Sequence, residues 1–132
     1  LGDVYKRQGY SLPFSEDFES GFNTRSWTIE NLDYGITWAI TDVAGNEPST
    51  RAAWMNYFDY YEWNPVDRMI SPVLDFTGMS NVSLHFEHAY AQRVTLKDSL
   101  IIKISDDCGE TWTRLFANGP EGTGVFATHE NS

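Results

Sequence analysis

DSLIIKISDDCGETWTRLF, from Asp98 to Phe116, is the stretch whose reading decides the fold. Leu100, Ile102 and Ile104 alternate with Ile101, Lys103 and Ser105, which is strand periodicity. Ile101 interrupts the polar side, so both faces of this strand are expected to be partly covered, as in the middle of a sandwich. On the return strand Trp112, Arg114 and Phe116 share one face, and Thr111, Thr113 and Leu115 take the other. Asp106 to Glu110 connect the two strands. Gly109 supplies a position where φ is positive at little cost. Asp107 is placed to fold its carboxylate back onto nearby backbone N–H groups, and Trp112 to cap the turn with a large apolar face.

The spacing Ser105-x-Asp107-x-Gly109-x-Thr111-Trp112 resembles the Asp-box hairpin that recurs in sialidase propellers and occurs singly in unrelated β folds. The resemblance implies a structural corner away from any chemistry. Asp107 is then turn closure rather than a catalytic or metal-binding carboxylate. A propeller needs the unit several times at a regular period. This chain carries it once, which argues against a sialidase.

The rest of the chain reads as short strands between turn signals. LPFSEDFESGF, Leu12 to Phe22, alternates Phe14, Glu16 and Phe18 with Ser15, Asp17 and Glu19. Asn23 to Glu30 places Trp27 and Ile29 on one face, Asn31 to Gly35 is turn material, and Thr37 to Thr41 is a short strand. Asp42 to Arg51 is a loop rich in breakers, followed by a strand over Ala52 to Asn56 and a second, aromatic loop over Tyr57 to Pro65. Asp67 to Phe76 reads as a strand with Pro72 inside it, hence an edge or a bulge. Val82 to Ala91 alternates again, and Val125 to Thr128 is a short last strand. Helical periodicity never persists for as long as about ten residues. The expected fold is therefore all-β, an antiparallel β-sandwich or jelly roll.

The chain has 132 residues, 41% of them hydrophobic and 15% aromatic, which supports a packed domain and argues against disorder. No apolar run approaches membrane-spanning length. A net charge of −10 repels phosphate backbones, so nucleic acid is a poor partner, whereas cations and neutral sugars suit an acidic surface. The lone cysteine, Cys108, has no internal disulfide partner. Residues 3–8, DVYKRQ, resemble the translation of a transposase mosaic-end adaptor used in sequencing libraries. Residues 1–8 are accordingly expected to be an artefactual tail, and residues 9–132 an incomplete β-sandwich module, a metagenomic fragment cut at its C-terminus.

With these strands in place, four stretches carry a wider likeness: Phe14 to Gly21 followed by Trp27, DRMISPVLD from Asp67 to Asp75, Val82 to Ala91, and the hairpin. Together they resemble the MAM-like and cleaved-adhesin domains, including those called choice-of-anchor domains, of secreted bacterial proteins. The resemblance implies a concanavalin-like jelly roll that is not an enzyme. It also implies an extracellular or cell-surface setting beside other domains of one parent chain, a glycan or host-surface protein as partner, and in some members structural calcium. The further acidic strand with which that family ends has no counterpart in this sequence.

Candidate sites follow. Asp17 and Glu19 share one side of the first expected strand. Calcium takes six or more hard oxygens, so these two need Asp98 or backbone carbonyls to complete a site; a solvated strand face is the competing reading. Tyr57, Phe58, Tyr60, Tyr61 and Trp63 crowd one loop. Exposed rings there would stack on sugars or anchor a protein, and buried ones would cover the core; Tyr57, Tyr60, Tyr61 and Trp63 are the ligand-binding candidates. His85, Glu87 and His88 suggest a metal centre, but a strand points His88 away from the other two, two ligands are not a zinc site, and ordinary strand residues are the favoured reading. An enzyme of glycoside-hydrolase type needs two carboxylates across a cleft; Glu62 and Glu87 are eligible, but nothing in their spacing singles them out. A structural spacer beside a secreted protease is the remaining alternative to adhesion or carbohydrate binding.

Overall fold

The computed structural model describes residues 9–42, 45, 47–62, 65–92, 97–120, 122 and 127–130. These residues form strands and turns, with no α-helix among them; single 3₁₀ turns occupy Asn23–Arg25 and Tyr57–Asp59. The all-β expectation holds. The chain divides into two compact units, Leu1–Val82 and Ser83–Ser132.

The first unit contains β1 (Tyr10–Ser11), β2 (Thr28–Asn31), β3 (Ala39–Thr41), β4 (Ala52–Trp54), β5 (Asp67–Ile70) and β6 (Leu74–Asp75). β2 pairs antiparallel with β5, setting Thr28 opposite Ile70 and Asn31 opposite Asp67. β3 pairs antiparallel with β4. β1 pairs with β6 in parallel, contrary to a purely antiparallel reading. Parallel pairing requires a long connection, and the whole of β2 to β5 lies between these two strands. The expected Asp67–Phe76 strand is split at 71–73, around Pro72, which has no N–H to give a ladder.

The expected strand over Leu12 to Phe22 does not form. Glu16 Oε1 accepts the N–H of Phe18 at 2.8 Å and Asp17 Oδ1 accepts that of Glu19 at 3.1 Å. Side-chain acceptors thus take donors that a ladder would use, and the chain turns at Phe18, whose φ is +60°. The Phe18 ring packs against both Phe22 and Trp27. The indole N–H of Trp27 donates to Glu16 Oε2 at 2.8 Å, so one carboxylate serves both the turn and the ring cluster.

The second unit contains β7 (Ala91–Gln92), β8 (Leu100–Ile104), β9 (Thr113–Asn118) and β10 (His129–Glu130). The hairpin read from the sequence is present as the antiparallel β8–β9 pair. Ile102 faces Phe116 while Lys103 faces Arg114, so Leu115 is an extra residue in a bulge. β7 and β10 pair in parallel. Of the run Val82–Ala91, expected to be a strand, only Ala91 enters a ladder, at the start of β7; Phe86 packs edge-on against Phe116, with ring centroids 5.6 Å apart. Val125 and Phe126 of the expected Val125–Thr128 strand lie outside the described residues, as do residues 1–8 and Trp63, while Ala127 and Thr128 enter no strand. Among the described residues only Met55 and Tyr90 are enclosed apolar side chains, and each sheet is two strands wide.

The Glu16–Trp27 bond is testable by a double-mutant cycle. Trp27→Phe keeps an aromatic ring against Phe18 but removes the indole donor and part of the packed bicycle, and should cost at least about 1–2 kcal/mol in urea unfolding. Combined with Glu16→Gln the losses should fall short of additive by about 1 kcal/mol.

Candidate binding surface

At the end of β2 and the start of β5, Asn31 and Asp67 stand opposite one another. Beyond β2 the chain reverses through residues 32–36. Asp33 Oδ1 accepts the N–H of Gly35 at 2.9 Å and the Asn31 amide donates to the Gly35 carbonyl at 2.8 Å, an Asx-type closure. This closure holds Tyr34 in the left-handed region at φ +60° with its side chain 93% exposed. A β-carbon in that region costs an L-residue about 1–2 kcal/mol, so the ring is held in solvent at a conformational cost.

The aromatic loop is drawn to this turn by Tyr60. After the Tyr57–Asp59 turn the backbone extends at Tyr60, and its phenol reaches Asp33 Oδ2 and, at 3.0 Å, Asp67 Oδ2. The Tyr60 ring also lies against Gly35, where a β-carbon would come within 3.2 Å of it. A phenol carries a single hydrogen, so two carboxylates compete for one donor. Burial, and then the two carboxylates, push the Tyr60 hydroxyl well above its usual range, while the phenol and the Gly35 N–H hold Asp33 below the usual carboxylate range. Asp67 Oδ1 and Asn31 Oδ1 are enclosed without a hydrogen-bond partner.

Tyr60 therefore faces inward and its neighbours outward. Tyr61 is 74% exposed and Phe58 63% exposed, whereas Tyr57 is half-buried. Of the ligand-binding candidates, Tyr60 is a tether rather than a contact, and Trp63 lies outside the described residues. The residues missed by sequence reasoning are Asp33, Tyr34 and Asp67. The signal for Asp33 and Tyr34 was an aromatic between Asp and Gly inside a turn, read only as turn material; Asp67 read only as the first residue of a strand.

The metal candidates are placed differently. Glu19 Oε1 accepts from the Ser49 hydroxyl at 2.7 Å and from the backbone N–H groups of Thr50 and Arg51, and Oε2 accepts from the Thr50 hydroxyl at 3.2 Å. The Ser49 hydroxyl first, then those amides, lower its carboxyl to about 2. Glu19 is thus a clamp on the 49–51 segment. Asp17 is engaged with its own turn. Asp98 belongs to the second unit, where it accepts the Tyr90 hydroxyl. Among the described residues no three His, Cys, Asp or Glu stand together to hold a metal. Calcium at Asp17 and Glu19 would require Glu19 to exchange its protein donors for the ion. Glu62 and Glu87, the eligible catalytic pair, are exposed residues of different units, and His85 and His88 are likewise exposed.

The hairpin corner closes on itself. The Ser105 hydroxyl donates to Asp107 Oδ1 at 2.7 Å and accepts the Gly109 N–H at 2.8 Å. Thr111 donates its N–H to Oδ1 at 2.9 Å and its hydroxyl to Oδ2 of Asp107. The Trp112 indole donates to the Gly109 carbonyl at 3.1 Å, and Gly109 takes φ +90°. The Thr111 hydroxyl, its N–H and Ser105 bring the Asp107 carboxyl down to about 2. Both oxygens are occupied by the turn, and Cys108 at the tip is an exposed, free thiol.

Compared with protein-family models, with curated proteins and with solved structures, the chain matches none.

Two outcomes follow from this geometry. Tyr60→Phe leaves Asp33 and Asp67 without their shared donor and should cost about 1–2 kcal/mol of stability in urea unfolding. Asp107 is held lower folded than unfolded, so its contribution is complete above about pH 4 and lost as pH falls toward 2. Asp107→Asn should accordingly be less stable than the parent at pH 6, and the gap should narrow between pH 4 and 2 when urea midpoints are compared.

Proposed function

We propose that this chain is a non-catalytic recognition module, acting in adhesion or carbohydrate binding as part of a larger exported bacterial protein at the cell surface. The observation that carries the reading is the inward tether of Tyr60, beside which the rings of Tyr34 and Tyr61 are presented to solvent. Aromatic faces held in this way suit the apolar faces of sugars or a protein anchor. Support for the setting comes from the four stretches that resemble MAM-like and cleaved-adhesin domains. In this reading the paired strands of each unit belong to an antiparallel β-sandwich of jelly-roll type. The corner at Asp107 then has a structural role.

Glycan-array and surface-adhesion measurements on the whole chain test it. Binding should be seen for the parent and fall at least about tenfold in Tyr34→Gly/Tyr61→Ala. Tyr34→Gly removes the ring and relieves the left-handed backbone, so loss of binding with an unchanged or raised Tm separates recognition from folding. Retention of full binding by this variant would remove the surface from the function.

A further inference from the structure

The turn at 31–36 and the loop at 57–67 contain Asp33, Asp59, Glu62 and Asp67 and no Lys, Arg or His. The adjacent base, Arg68, is already engaged with Glu30 at 2.7 Å. No ion pair among the described residues reaches Asp33 or Asp67, and their one shared donor is a phenol. Negative charge at this corner thus exceeds the donors that answer it. Exposed rings stand in the same two segments: Tyr34 and Tyr61 each lie one residue from the Tyr60–Gly35 contact, with Phe58 in the preceding turn. Ring faces attract cations, most strongly guanidinium groups, and carboxylates beside the rings reinforce that attraction.

We propose that the Tyr34–Tyr61 surface docks a cationic segment of a protein partner, one carrying closely spaced arginines or lysines. The proposal rests on the reading of this surface as the recognition face and names the chemistry of what it recognises. A neutral sugar would use the rings but gain nothing from the excess of carboxylates, whereas a basic segment uses both. A chain of net charge −10 also steers a basic partner toward it at a distance.

The test is fluorescence polarisation of a labelled hexa-arginine peptide titrated with the whole chain, beside a glycan array. Saturable binding is expected, weakening between about 50 and 300 mM salt. Its Kd should rise at least about tenfold in Tyr34→Gly/Tyr61→Ala and in Asp59→Asn/Glu62→Gln. Asp106→Asn/Glu110→Gln, which removes the same charge at the hairpin tip, should leave Kd unchanged. Thermal melts establish that each variant is folded. No saturable binding, or an equal loss in the hairpin-tip variant, overturns the proposal, the latter by showing attraction to general acidity. Glycan binding that depends on Tyr34 and Tyr61 without hexa-arginine binding overturns the cationic partner and leaves the recognition surface standing. Binding of neither class overturns both.

Discussion

One phenolic hydrogen stands between two carboxylates, and the turn after β2, the aromatic loop and the start of β5 meet at it. Tyr60 joins the turn that follows β2 to the residue that opens β5, two segments otherwise linked by a ladder of four residue pairs. Because its hydroxyl points inward, the extended backbone there sends Tyr61 outward. The same bond locks Asp33, which in turn closes the turn that holds Tyr34 left-handed. The contact thus ties the aromatic loop to the turn that displays Tyr34, beside the carboxylates of Asp33 and Asp67.

Carboxylates acting on nearby backbone and hydroxyl donors recur along the chain. Glu16 turns the chain at Phe18, Glu19 clamps the 49–51 segment, Asp75 receives the N–H of Thr77 at 2.9 Å, and Asp107 closes the hairpin. Such bonds are individually modest. They matter here because Met55 and Tyr90 alone are enclosed apolar side chains among the described residues. Acidic residues that composition presents simply as net charge are, in the structure, the fasteners of its turns.

The parts of the fold legible in the sequence were those governed by neighbours in the chain. The β8–β9 hairpin follows from alternation at Leu100 to Ile104 and from a turn whose donors and acceptor lie within six residues of each other. The break at Pro72 follows from a missing N–H. Leu12 to Phe22 misled because alternation was weighed without the side-chain acceptors at Glu16 and Asp17, which capture the local N–H groups first. From Val82 to Tyr90 the alternation is real, yet a strand needs a partner, and periodicity says nothing of whether one arrives before Ala91. The bulge at Leu115 was equally invisible, since it depends on how two strands slide against each other.

For the candidate surface the division is similar. Composition and spacing by themselves determined that the chain is acidic, rich in strands, aromatic in its 57–63 loop and closed at the hairpin by Asp107. Those are properties of residue type and of contacts a few positions apart. Only the tertiary structure decided that Tyr60 is a tether, that Tyr34 joins Tyr61 at the surface, and that Glu19 holds Ser49 to Arg51. The Tyr60–Asp33 and Glu19–Ser49 bonds join residues 27 and 30 positions apart, and a carboxylate bonds whichever donor the folded backbone brings within reach; no local pattern names that donor in advance.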